Sequence, residues 1–351
     1  MDIVKNKYIV ATIMAVGALL VIINVEGIPF SVVQMLVGLV IVVLVGEPMV
    51  EGLKEFGTSF GFSPHVTGII SSLASNLPEG VMTFFMIMSP ELREVAILTV
   101  LLASAFNGLL LGLLVVMLTF RGGAITLKKE AMEHDVEIMR IAIAMCGIIF
   151  GVGVILNIFS DGGGVFLPIE VPIFLLISYA GYLFFVSRGH GHVAEERHGE
   201  PGKRGWVTPV LLGLLGIVIS AELIAGSSEY LVHMFDLHVV LAATFIGFAG
   251  SIPEHGIALL GARQGHVEMG VSNLLSGIVQ SIMLIFPILA LLVPVHLDGY
   301  VLYQFLAIGV TLWIVLKAIV DDHKLTLDEG LSILMIHVLG ILLFDELSLL
   351  I

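Results

Sequence analysis

LASNLPEG at residues 73–80 returns as FAGSIPEH at residues 248–255, an offset of 175 (248 − 73). The first octet lies inside an apolar stretch from about Val66 to Met88, long enough to cross a bilayer. A glutamate near a bilayer centre costs about 2.5 kcal/mol or more, and a proline there removes a helix hydrogen bond. Two copies of so costly a pattern need a common reason. The same offset (211 − 36 = 175) lays LVGLVIVVLVGEP, from Leu36, over LLGLLGIVISAEL, from Leu211, without a gap. Leu36, Gly38, Leu39, Val43 and Glu47 fall on Leu211, Gly213, Leu214, Val218 and Glu222, and Ala74, Pro78 and Glu79 fall on Ala249, Pro253 and Glu254. One constant offset ending on a shared Pro-Glu marks an internal duplication.

Composition sets the surroundings. Of 351 residues 58% are hydrophobic and 13% charged, against about 25% charged in a soluble domain, and the mean hydropathy is +1.09. The expected fold class is an all-α polytopic membrane protein with the lipid bilayer as solvent. The 29 acids against 15 bases leave a net charge of −14, which argues against nucleic acid as a partner. Nothing in the sequence indicates a protein partner. Cys146, the single cysteine, lies in an apolar run, so no intrachain disulfide is possible and packing is its expected role.

Apolar runs of about 18 residues or more number eleven, near 8–25, 29–56, 63–88, 93–119, 136–158, 165–186, 207–235, 238–262, 267–294, 299–320 and 330–350. The organisation that follows is an N-terminal helix (1–28), a first five-helix repeat (29–186), a linker loop (187–206) and a second repeat (207–351). No small-residue cleavage site follows the first apolar run, whose next residues are EGIPF, so an uncleaved helix is expected. With a cytoplasmic N-terminus, fourteen of the fifteen Lys and Arg fall inside and only Arg93 outside, as the positive-inside rule requires. The C-terminus is then outside, and the plasma membrane is the expected location.

Five spans per repeat is an odd number, so the second copy must insert upside down relative to the first. Two acidic helices, broken at their prolines, would meet near the bilayer midplane, where inverted-repeat transporters hold their sites. Glu79 and Glu254 would face each other. Adjacent carboxylates in low dielectric repel, which makes the pair a proton acceptor or, alternatively, a site for a divalent cation. Pro78 frees the carbonyls of Ala74 and Ser75, and Pro253 those of Ala249 and Gly250. Such oxygens suit a hard cation with six to eight oxygen ligands, such as Ca²⁺.

Asn107 and Gln280, in the next span of each half, lie 28 and 26 residues after their glutamates (107 − 79; 280 − 254), so they are near-equivalents. Their amides could complete a ligand set, hold the carboxylates or bond neighbouring helices. Ser104, Ser272 and Ser276 lie near them in sequence. Glu47 and Glu222 could line an access path or sit at an interface without a role. His255 could shuttle protons or pack within its helix. HGHVAEERH at 190–198 could bind a metal or sense pH, but its Gly, Pro and mixed charge read as a solvated linker.

With SNLPE at 75–79, GSIPEH at 250–255, Asn107 and Gln280 in place, the chain resembles the calcium/cation antiporter superfamily, and most of all its cation/proton exchanger branch. That branch carries GNATE-like and GNAAEH motifs followed by an Asn and a Gln in the next spans. The resemblance covers roughly residues 29–350. It implies one extra helix before two inverted five-helix repeats. It also implies Glu79 and Glu254 as the cation and proton carboxylates, the metal ligands among them, with Asn76, Ser251, His255, Asn107 and Gln280 around the site. The implied activity is export of cytoplasmic Ca²⁺ in exchange for H⁺, with Ca²⁺ as cargo and no cofactor. Na⁺ and Mn²⁺ remain alternatives, since the Leu-Pro and Ile-Pro pairs before the glutamates resemble the GTSLPE of sodium/calcium exchangers.

A cation channel with the same acids at a constriction is a separate possibility. An enzyme is not expected, because no HExxH motif is present and no Ser or Cys nucleophile stands beside a plausible base within a span.

Overall fold

The computed structural model describes residues 7–23, 27–60, 64–121, 123–127, 129–160, 164–189, 204–263 and 267–348. Its helices are α1 (Lys7–Ile23), α2 (Ile28–Ser59), α3 (Pro64–Met88), α4 (Arg93–Thr119), α5 (Lys129–Ile158), α6 (Glu170–Gly189) and α7 (Val207–Phe235). There follow α8 (Val239–Arg263), α9 (Val267–Gln280), α10 (Phe286–Leu292), α11 (Gly299–Asp321), α12 (Leu327–Leu342) and α13 (Phe344–Ser348). A π-helical turn, Ser281–Ile285, joins α9 to α10 into one rod. The eleven expected spans therefore correspond to α1 through α12. The last stops short of the expected 350: α12 ends at Leu342, and α13 begins after Leu343.

Among the described residues six segments are long and apolar enough to cross a membrane: Ile28–Gly57, Pro90–Thr119, Val136–Ile158, Val207–Phe235, Gly270–Leu292 and Gly299–Asp321. Tyr8–Ile23, Glu170–Phe184 and Val239–Phe248 are shorter apolar helices. The protein is an all-α polytopic membrane protein. One expectation is corrected. Neither α3 nor α8 is broken, since each is a single run of 25 helical residues. The ring of Pro78 fixes φ near a helical value, so only its missing N–H interrupts the ladder.

The helices form two compact units, Met1–Ala96 with Leu183–Pro253 and Ile97–Tyr182 with Glu254–Ile351. Each draws helices from both halves of the sequence. In the first unit α2 and α7 form the main contact, with α1 and α3 against them, around a core that includes Ile41, Val45, Met49, Ile217 and Leu223. Helices in lipid have little hydrophobic reason to associate, so small residues that allow close approach do much of the holding. A Cβ at Gly38 would stand 2.8 Å from Ile224, one at Gly213 2.5 Å from Met49, one at Gly216 2.6 Å from Val45 and one at Gly52 3.0 Å from Val210. As α2 ascends from 38 to 52, its partners on α7 descend from 224 to 210, so the two helices are antiparallel. Gly38 and Gly213 are equivalent at the offset of 175 (213 − 38), and so are Met49 and Ile224 (224 − 49). The two contacts are one contact seen from each half, as an inverted duplication demands. Ser220 adds a hydrogen bond across the crossing, donating its hydroxyl to the Gly38 carbonyl at 2.8 Å.

The second unit repeats the logic with α5 and α11. Gly153 packs on Leu302 and Gly309 on Cys146, again antiparallel, with Cys146 fully buried in the packing role expected of it. These two contacts exchange at an offset of 156 (309 − 153 and 302 − 146) rather than 175. GVILNI at 153–158 lies over GVTLWI at 309–314 at that offset.

Two short backbone pairings fasten the connections of this unit. β1 (Ile125–Thr126), between α4 and α5, pairs antiparallel with β2 (Lys324–Leu325), between α11 and α12. A bridge at Phe166 and His296 joins the α5–α6 connection to the α10–α11 connection. The duplication interchanges these two pairings as well. Asn157, near the end of α5, secures the second by donating to the Leu297 carbonyl at 2.9 Å.

Candidate functional site

In the first unit α3 carries Asn76 and Glu79 one turn apart on a buried face, 3% and 2% exposed. Ala74 and Pro78 are buried beside them. Thr83 donates its hydroxyl to the Glu79 carbonyl at 2.8 Å, with the Gly80 carbonyl at 3.2 Å, just beyond the turn weakened by Pro78. Side chains on neighbouring turns replace part of what a proline removes from a membrane helix.

On α8, Ser251 is buried and donates to the Gly247 carbonyl at 2.6 Å. Gly250 lies against α3, where a Cβ would stand 2.8 Å from the Met82 methyl group. The side chains of Ser75, Ala249 and Glu254 lie outside the described residues, and so do that of Glu47 and the loop 190–198. Glu222 is exposed halfway along α7.

In the second unit Asn107 is wholly buried on α4, and Gln280 is 4% exposed at the end of α9. α4 spans 93–119 and the α9–α10 rod 267–292, so their ends correspond at offsets of 174 and 173 (267 − 93; 292 − 119). The offset of 173 carries Asn107 onto Gln280 (280 − 107) and that of 174 onto Ser281 (281 − 107), so the two amides are equivalent to within one residue. Gln280 donates to the hydroxyl of Ser276 at 3.0 Å. Ser104 donates back to the Val100 carbonyl at 3.2 Å. Ser272 is half-buried on α9, one turn before Ser276. His255 is buried on α8, whose next turn packs so closely on α9 that a Cβ at Gly270 would stand 2.8 Å from the Ala258 carbonyl oxygen.

Sequence reasoning passed over a further polar group in this unit. His337, buried within α12, shares a hydrogen bond with Thr311 of α11, Nε2 to Oγ1 at 2.9 Å. An ionisable residue inside the apolar run LSILMIHVLGILL, 331–343, was a usable signal.

A buried carboxylate on a membrane helix, as Glu79 is, can hold a proton or a hard cation. The model of the "sodium/calcium exchanger protein" family matches the chain over residues 30–188 and 206–344, which takes in the helices of both halves. The chain belongs to this family. Membership makes it an exchanger-type cation transporter. Among curated proteins the chain is similar to the inner membrane protein YrbG of Escherichia coli (strain K12). The two are 23% identical over 272 residues, which cover 75% of this chain and 80% of that one.

Three solved structures share the fold. The H⁺/Ca²⁺ exchanger CAX aligns with a TM-score of 0.75 at 15% identity, covering 95% of this chain and 86% of that one. YfkE aligns at 0.64 and 16% identity, covering 94% of this chain and 100% of that one. The sodium-calcium exchanger NCX_Mj aligns at 0.61 and 17% identity, covering 90% of this chain and 99% of that one. At such identities the likeness is one of fold.

Proposed function

We propose that the protein exports cytoplasmic Ca²⁺ in exchange for H⁺ by alternating access, with Glu79 and Glu254 as the carboxylates that hold either cargo. The observation that carries this reading is Glu79, a carboxylate 2% exposed in a helix with no Lys or Arg near its middle. A carboxylate inside a membrane helix marks a functional site, and a proton or a cation is what it would hold. The duplication supports the second carboxylate, since the offset of 175 carries Glu79 onto Glu254 (254 − 79).

One Ca²⁺, or about two protons, neutralises the pair. A neutralised site can pass through the membrane interior, whereas an empty doubly charged one is held back, which gives obligatory exchange. Asn76, Asn107 and Gln280 would supply amide oxygens, and the carbonyls of Ala74, Ser75, Ala249 and Gly250 would serve as main-chain ligands. Ser251 and His255 flank the second carboxylate. Glu222, exposed at mid-helix, fits a water-filled access path better than a lipid-facing interface, and Glu47 is its equivalent in the first half. The fourteen-to-one distribution of basic residues supports a cytoplasmic N-terminus in the cell membrane.

Sodium is the second reading of the coupling ion. Ser251 and Ser227 both donate their hydroxyl hydrogens to carbonyls of their own helices, which leaves acceptor lone pairs of the kind Na⁺ takes.

The test is ⁴⁵Ca²⁺ uptake into proteoliposomes, driven in turn by a pH gradient and by a sodium gradient, with the membrane potential clamped. Uptake on protons alone is expected. Uptake that requires sodium would transfer the coupling role to Na⁺, Mn²⁺ uptake in place of Ca²⁺ would change the cargo, and fast flux needing neither gradient would make the protein a channel.

A further inference from the structure

We propose that His337 is a positioning residue for the segment of α4 that carries Asn107, a role that rests on the exchanger reading given above. Four observations in the second unit converge on it. The ring lies on the backbone of α4 at Gly108, next to Asn107, where a Cβ would overlap Nε2. Glycine there lets an imidazole take the place of a side chain, so any displacement of the ring is felt by the main chain of residue 107. The ring is held in turn from α11, where Thr311 Oγ1 lies 2.9 Å from Nε2, and Tyr303 donates its hydroxyl to the carbonyl of the preceding residue, Ile336, at 2.6 Å.

The crossing has no slack on either side. A Cβ at Gly112 would stand 2.7 Å from the Leu334 amide nitrogen, and one at Gly330 2.7 Å from Val115. The helices therefore cannot absorb a change at His337 by sliding.

Packing alone does not account for a histidine here. Its Nδ1 has no hydrogen-bond partner among the described residues. A leucine would fill similar space without burying that atom. The hydroxyl that fixes the ring also belongs to the second half alone: at the offset of 156, Thr311 corresponds to Ile155 (311 − 155). The Thr311–His337 bond thus lies directly behind Asn107.

Purified full-length variants tested for ⁴⁵Ca²⁺ uptake over a range of Ca²⁺ concentrations decide the matter. His337→Leu and Thr311→Val should each raise KM by about threefold or more with kcat within about twofold, the mark of a ligand held out of place. His337→Gln, which can still bond Thr311, should restore KM. The Thr311→Val/His337→Leu double variant should be no worse than either single one, because both remove one interaction. Wild-type KM in both single variants, or additive effects in the double, would overturn the assignment. Amide exchange of α4 peptides spanning 103–112 gives a readout independent of transport. It should speed up in Thr311→Val, and exchange at the wild-type rate would also overturn the proposal. If the wild type moves no Ca²⁺ under any gradient, the exchanger reading fails while amide exchange still decides whether His337 positions α4.

Discussion

Gly38→Ala should destabilise the protein where Gly226→Ala does not, although both are helix-interior changes. The added methyl at residue 38 would stand 2.8 Å from Ile224 and 3.2 Å from the Ser220 carbonyl oxygen. One of these contacts is backbone, so α2 and α7 must separate. Overpacking by one methyl costs about 1–3 kcal/mol. Separation also stretches the 2.8 Å bond from Ser220 to the Gly38 carbonyl, worth about 0.6 kcal/mol for an interhelical bond in a membrane. Better helix propensity returns about 0.5–1 kcal/mol. The net loss is about 1–3 kcal/mol. At Gly226, also on α7, nothing lies within 4 Å of the new Cβ, so only the propensity gain remains. The two variants should differ by about 2–3 kcal/mol, or roughly 4 °C or more in Tm for a chain of this size. Thermal unfolding in detergent, followed by the fluorescence of Trp206 and Trp313, measures it. Equal Tm values for the two variants would refute the close crossing of α2 and α7. Gly213→Ala should behave like Gly38→Ala, because the duplication makes it the same contact.

Glu79→Gln and Glu254→Gln should each abolish ⁴⁵Ca²⁺ exchange while leaving expression and size-exclusion profiles intact. Normal transport in both would remove the carboxylates from the mechanism. Ser220→Ala should lower Tm by a degree or two, in keeping with the loss of about 0.6 kcal/mol, and leave the KM for Ca²⁺ unchanged; a raised KM would show that Ser220 serves the site. Cysteines at Thr126 and Lys324, which are Cα partners across β1 and β2, should form a disulfide on mild oxidation, because cross-strand Cα separations of about 4.5–5.5 Å suit one. Buried Cys146 should not compete. Non-reducing electrophoresis after a protease cut between the two positions reads the crosslink, and two separable fragments would show that the strands do not pair.

Much of this architecture was legible in the sequence because a bilayer imposes a narrow grammar. Apolar length gave α1 to α12, and the near-exclusion of charge made Glu79 and Glu254 conspicuous. Glycine gave the duplication a second anchor: Gly38 and Gly213 align because both occupy the crossing of α2 with α7. What stayed hidden depended on contact. His337 has no counterpart in the repeated motifs, and its meaning comes from Gly108 and Thr311, which are distant in sequence. The expected breaks at Pro78 and Pro253 are absent because a proline removes a donor without forbidding helical φ and ψ. The equivalence of Asn107 with Gln280 holds to within one residue, because the helix ends bracket the local offset at 173 and 174.

The change of offset along the chain follows from where a membrane protein tolerates extra residues. The first helices of each half correspond at 175, the end of α4 with that of α10 at 173 and α5 with α11 at 156, so the first half carries about seventeen additional residues (173 − 156) after α4. The α4–α5 connection and the opening turns of α5 hold them, whereas α10 and α11 are joined by residues 293–298 alone. Lengthening a loop outside the bilayer costs little, since closure entropy grows only with the logarithm of length. An insertion inside a span would rotate every later residue by 100° and move the glycines off their partners. The extra segment is also tied down, because Ile125 and Thr126 pair with Leu325 and Lys324. Beyond it Gly153 and Gly309 still meet Leu302 and Cys146 as equivalent contacts. The symmetry therefore resides in the helix crossings, and a constant shift along the sequence captures it only as far as α3.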